Sequence, residues 1–173
     1  AVDLDTHIAD VIAVIEAEEL HDVVLVGHSY AGAVTPGVAD RARERLARLI
    51  LLDAAMIDWG EAMIDLNPPE IVAQRRKLVA EQGDGYKLPA PGPEAFGVSD
   101  PADAAWIARR LTPQPWACYT QKLERRRDGF DTLPRDYIDC TAPAMPSIAP
   151  SRARVRARAG WTVHDLATGH DAM

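Results

Sequence analysis

Cysteine is scarce in this chain: Cys118 and Cys140 are the only two, too few for a disulfide framework. With no export signal, they read as reduced thiols of a cytoplasmic protein. Long apolar runs are missing as well. No window approaches the ~18 unbroken apolar residues of a membrane span, so no membrane partner is expected. The opening AVDLDTHIAD carries acids where a secretory leader has a basic region and an apolar stretch, so it does not read as a signal peptide. It also lacks an initiator Met and runs almost at once into a periodic segment, which leads us to expect that the natural chain starts further upstream. Metal and cofactor signatures are absent: there is no HExxH, no paired CxxC and no GxGxxG. No cofactor and no metal are expected. Aromatic residues make up 6%, and none interleaves with the basic clusters Arg125–Arg127 and SRARVRARAG (Arg152, Arg154, Arg156 and Arg158). Base-stacking platforms are therefore missing, and a net charge of −7 disfavours general nucleic-acid binding. The arginines read as solvated faces.

What is present suits one globular domain. The 173 residues are 47% hydrophobic, enough to bury a core. Leu4, Ile8, Val11, Ile12 and Ile15 fall on one stripe of a helix over 4–20, with Asp5 or Thr6 as its cap. The apolar runs at 23–26 and 49–52 read as strands buried on both faces, as in a parallel sheet covered by helices. The helix expected between them, at 30–40, makes a right-handed βαβ unit. Residues 56–133 carry no further strand signal. Helical stretches at 70–82, 103–111 and 116–127 alternate there with breaks such as KLPAPGPEAFG, and the segment reads as a helical cap inserted into the domain. Two last strands are expected at 136–140 and 161–166, with the arginine-rich helix between them.

The chemistry is concentrated in HDVVLVGHSYAGAV, residues 21–34. An apolar run stops at Gly27, presents His28 and Ser29, and resumes with small residues. A serine held in a strained turn between strand and helix needs tiny neighbours so that the two elements can approach, and Gly27 and Ala31 fill those places. The alternative, a glycine turn with a capping serine, has no use for a buried strand before it and a small-residue helix after it. In the elbow, the Tyr30 amide faces the space above Ser29, at the positive end of the helix, and is the oxyanion candidate. A serine nucleophile needs a base. Of the five histidines, His7, His21 and His164 read as structural or exposed. His28 cannot turn toward its neighbour's hydroxyl. His170, in ATGHDAM just past the last strand, has the chain order and loop position of the base.

GHSYAG and TGHDAM together resemble the α/β-hydrolase superfamily. Within it, VVLVGHSYAGAV, RLARLILLDAA and HDLATGHDAM are similar to the small esterases related to plant methyl-ester and salicylate esterases and to hydroxynitrile lyases. The resemblance implies an α/β fold, a parallel sheet flanked by helices. It also implies that the first strands and the last helix lie outside residues 1–173, leaving one incomplete α/β-hydrolase domain with its cap at 56–133. Relatives place the acid in a segment like CTED after the penultimate strand. Here that segment reads CTAPAMP, residues 140–146, without a carboxylate. Haloalkane dehalogenases carry theirs after the preceding strand, where Asp53 of LILLDAA stands. Asp53 is therefore the implied partner of His170, with Asp139 in reserve.

The resemblance implies a two-step acyl transfer to Ser29 from a small-molecule carboxylic ester. Tyr30, His28, Met56 and Trp59 are the candidates for lining the substrate pocket, with Ile57, Met63, Ile64, Phe96, Trp106 and Trp116 as further apolar residues of the cap. Two alternatives stay open. One is a hydroxynitrile-lyase-like reaction on the same triad. The other is a catalytically silent binding module whose uncovered first strand pairs with a second copy or with a complementing N-terminal segment.

Overall fold

The computed structural model describes residues 2–173. Helix α1 (Leu4–Ala17) leads into strand β1 (Val23–His28), helix α2 (Ala31–Arg41) and strand β2 (Leu46–Leu52). Between β2 and the next long strand lie α3 (Pro69–Gln82), the two-residue β3 (Lys87–Leu88), α4 (Pro101–Ala108), the two-residue β4 (Gln114–Pro115) and α5 (Ala117–Thr120). Strand β5 (Arg135–Cys140), helix α6 (Ala149–Arg156) and strand β6 (Thr162–Leu166) complete the chain. Strands β1, β2, β5 and β6 form a parallel sheet in that order, and β3 pairs with β4 antiparallel. This is an α/β fold, a parallel sheet flanked by helices.

The register puts Leu25 beside Leu49, and Gly27, Leu51, Tyr137 and Val163 in one row across the sheet. Side chains alternate between faces along a strand, so these residues share one face. The core lies there: α1 supplies Leu4 and Ile8, α2 supplies Val34 and Val38, and α6 supplies Val155. The opposite face is open. Val24 and Val26 are 52% and 53% exposed, and beyond Ile50 the surface turns polar, with Asp136 paired to Arg48 and to His164. Among the described residues, the first strand is therefore covered on one face, not on both as its unbroken apolar run predicts. Helices pack against Leu25 and Gly27 but not against their neighbours.

Three local expectations are corrected. The cap of α1 is Asp3, whose side chain accepts from the Thr6 amide at 2.9 Å. Its C-terminus comes early, because Glu19 turns left-handed at φ +50° to feed β1. The helix expected over 116–127 is one turn long. Beyond it, the Leu123 amide donates to Glu61 O (2.8 Å), and the Arg126 and Arg127 amides donate to the buried Asp40 Oδ2 (2.7 and 2.8 Å). Tertiary acceptors satisfy this backbone, so no helical ladder is needed.

One glycine brings the ends of β1 and β2 together. The Ala55 amide donates to Ser29 O at 2.9 Å, and a Cβ on Gly32 would lie 2.0 Å from Ala55 O. Only a residue without a side chain allows the first turn of α2 to rest on the chain leaving β2. Gly32→Ala gains helix propensity of about 1 kcal/mol, yet it collides with backbone. We expect a net loss of about 2 kcal/mol, read as a lower urea midpoint at unchanged slope.

Candidate active site

Strand β1 ends in a turn that a side chain at Gly27 would block: a Cβ there would sit 2.8 Å from both Thr35 Oγ1 and Thr35 Cγ2. Ser29 follows with φ +54°, in the left-handed region that non-glycine residues rarely occupy. Such strain marks positions where function overrides backbone preference. Tyr30 is the N-cap of α2, so its amide is among those without an intrahelical acceptor. Asp53, one residue past β2, is also left-handed at φ +37°, with its amide donating to Ile138 O at 2.8 Å.

The loop after β6 brings His170 to these two turns. His170 Nδ1 lies 2.7 Å from Asp53 Oδ2, and His170 Nε2 lies 3.0 Å from Ser29 Oγ. An ionised carboxylate only accepts, so Nδ1–H donates to Asp53 and Nε2 is left to accept the Ser29 hydroxyl. Asp53 is fully buried and His170 is 4% exposed, so water does not compete for this pair. A hydroxyl, an imidazole and a carboxylate bonded in series can remove a proton from the hydroxyl and stabilise the resulting cation.

The other sequence candidates fall in different places. His28 donates from Nε2 to His170 O at 2.9 Å, and its ring lies 4.5 Å from the His170 ring, so it buttresses the histidine loop. The Tyr30 side chain points away from Ser29's partners: its hydroxyl meets His7 Nδ1 at 3.0 Å and its ring packs near Tyr119. Burial pushes its phenol well above the ordinary range. Met56 and Trp59 line a small pocket together with Leu51, Phe130 and Trp161, a set that includes neither Ser29 nor His170. Met56 is buried with its amide on Ser151 Oγ, and Trp59 meets Phe130 edge-on. Asp139 is buried but does not touch His170; it accepts from Arg152 Nε at 2.5 Å and Arg156 Nη2 at 2.6 Å.

A cavity of about 430 Å³ opens beside His170, within the range of small-ligand sites. Glu94, Phe96, Val98, Pro143, Met145 and Asp171 are among the residues that line it. Phe96 was among the apolar residues singled out in the sequence. Pro143 and Met145 were not, because the CTAPAMP segment drew notice only for its missing carboxylate. Sequence reading also missed Arg152, whose Nη2 lies 3.2 Å from Asp53 Oδ1. Its four-residue spacing from Arg156 was the available signal: it puts both on one helix face.

Among the described residues, His28, His170 and Asp171 are the one group of three with metal-ligand atoms close together, within 4.8 Å. His28 Nε2 and both His170 nitrogens are already engaged, so the cluster offers no free set of donors. Burial pushes the thiols of Cys118 and Cys140 up, away from the thiolate form that binds metals. Among the described residues, no helix is long and apolar enough to cross a membrane.

A family model described as "Alpha/beta hydrolase family" matches residues 1–173. The chain is 37% identical over 185 residues to a "Carbendazim hydrolyzing esterase" of Nocardioides sp. (strain SG-4G), covering 99% of this chain and 74% of that protein. Among solved structures, it is similar to an extracellular alpha/beta-hydrolase from a Paenibacillus species, with a TM-score of 0.80 at 22% identity over 95% of this chain and 71% of that one. It is also similar to a pyrethroid hydrolase from Sphingobium faniae JZ-2, with a TM-score of 0.69 at 18% identity over 98% and 71%. At these identities the two structures speak for the fold, and the family match and the 37% relative speak for descent. The chain belongs to the alpha/beta hydrolase family.

Proposed function

We propose that this chain is a serine hydrolase that cleaves small carboxylic esters through an acyl-enzyme, with Ser29, His170 and Asp53 as its triad. The observation that carries the reading is the continuous bond path from Ser29 Oγ through the His170 ring to a fully buried Asp53. The 37% identity to an esterase gives the reaction class independent support.

Ser29 attacks the ester carbonyl while His170 Nε2 takes its proton. Asp53 holds Nδ1–H, fixes the tautomer and steadies the imidazolium. The Tyr30 amide, at the positive end of α2, donates to the oxyanion as it forms. The tetrahedral intermediate collapses, and the alcohol leaves with the proton from His170. Water then attacks the acyl-enzyme with His170 as base, and the freed acid restores Ser29. The apolar wall at Phe96 and Met145 receives the acyl or alcohol group.

Fluorophosphonate labelling of the 173-residue chain tests the nucleophile. Wild type takes up one label per chain, and Ser29→Ala takes up none. Labelling that survives Ser29→Ala, or folded wild type that stays unlabelled, sinks the reading. With p-nitrophenyl butyrate, Asp53→Asn lowers kcat about 10³- to 10⁴-fold, the scale seen when a triad imidazole is left in the wrong tautomer. Phe96→Ala removes about 1.5 kcal/mol of apolar contact. It raises KM about tenfold and leaves kcat within about twofold, as steady-state kinetics will show. Carbendazim, the compound named for the 37% relative, is the first natural-scale substrate to assay.

A further inference from the structure

The arginine-rich segment of α6 remains outside the mechanism so far. Arg156 and Arg158 are exposed at the surface, Arg154 is half-buried and Arg152 is nearly buried, and each has an acidic partner. Arg154 pairs with Glu61, Arg156 with Asp139 and Asp165, and Arg158 with Asp58. Arg152 reaches deepest. Its Nη2 donates to Asp53 Oδ1 (3.2 Å), its Nε to Asp139 Oδ1 (2.5 Å) and its Nη1 to Met145 O (2.9 Å). All three nitrogens of one fork are therefore spent, two of them on buried carboxylates and one on the wall of the cavity.

We infer that Arg152 is a positioning residue of the reaction, one that turns Asp53 toward His170 and offsets the charge of a second buried carboxylate behind it. The inference rests on the triad reading above. Asp53 has two oxygens: His170 takes Oδ2, and Arg152 takes Oδ1. Engaged on both sides, the carboxylate cannot rotate, and a fork anchored at three points holds it more firmly than a point charge would. The electrostatic role follows from the count of charges. Asp53 is bonded to the imidazole, and the buried Asp139 shares the Arg152 fork with it, so without Arg152 the two anions would together favour the cation. A protonated His170 is no base. The guanidinium between the two carboxylates offsets that negative charge.

The other ionisable groups around this centre are His28 at the end of β1, Asp171 next to His170, Glu94 across the cavity, and Tyr137 and Cys140 on β5. Arg156 backs Asp139 from the far side. All of them are kept in the variants below, so a shifted profile reports the Arg152 bridge.

The experiment is the pH dependence of kcat/KM for p-nitrophenyl butyrate, whose acid limb reports the base of the free enzyme. In Arg152→Met, two uncompensated carboxylates raise the His170 pKa. The acid limb moves up by about one pH unit, and the rate on that limb falls about tenfold at fixed pH. Arg152→Lys keeps the charge without the fork: the limb stays at the wild-type position and the plateau drops severalfold. Asp139→Asn removes the rear carboxylate, and the limb moves the opposite way, to lower pH. An arginine needed only for packing lowers the melting temperature and leaves the limb where it was, and that result overturns the inference. If Arg152→Met does not fold, the unmoved limb in Arg152→Lys and the downward shift in Asp139→Asn decide the matter, and a static limb in Asp139→Asn overturns it. Ser29→Ala separates the two claims. Turnover that survives it removes the triad reading itself. Turnover that needs Ser29, with unmoved limbs in Arg152→Met and Asp139→Asn, removes only the role of Arg152.

Discussion

The buried hydrogen bond between His170 Nδ1 and Asp53 Oδ2 is the constraint on which the rest of the site depends. It joins the end of β2 to a loop more than a hundred residues further along the chain. Without it the imidazole has no fixed tautomer, and its second nitrogen has no reason to face Ser29. A solvated pair of this kind contributes little, because water competes for both partners. Here Asp53 is fully buried and His170 nearly so. Burial strengthens the bond and also makes an unpaired carboxylate costly. The remaining lone pairs of Asp53 therefore need a donor, and Arg152 is that donor.

The local chemistry was legible in the sequence because it is dictated locally. The turn at Ser29 demands tiny neighbours, and Gly27 and Ala31 declare it without any knowledge of the rest of the chain. The strands at 23–26 and 49–52 were legible from their apolar runs. The position of Asp53 was legible only through family resemblance, since an acid after a strand is equally a loop carboxylate.

What the sequence did not disclose depends on contacts between distant segments. Met56 and Trp59 look the same in sequence whichever pocket they line, and the fold groups them with Phe130 and Trp161 in a pocket that includes neither Ser29 nor His170. The helix expected over 116–127 has adequate propensity, but Asp40 captures its amides from across the fold. Val23–Val26 is apolar throughout, yet which of its faces is covered is a property of α1 and α2. Among the arginines of α6, Arg152 was misread for the same reason. Alternating cations look solvated until their carboxylates, spread over residues 53–165, are brought around them.

The register of the sheet has one more implication. His28 and Leu52 are paired across β1 and β2, and the next residue on each strand, Ser29 and Asp53, turns left-handed. Ser29 and Asp53 thus stand one step past the same rung of the ladder, and their separation derives from the spacing between adjacent strands, about 4.8 Å. No connecting segment sets that length. Lengthening or rebuilding the stretch between β2 and β5 alters what reaches the cavity without moving these two groups apart. The histidine, delivered by a loop, is the one component whose placement evolution or an engineer can disturb from a distance.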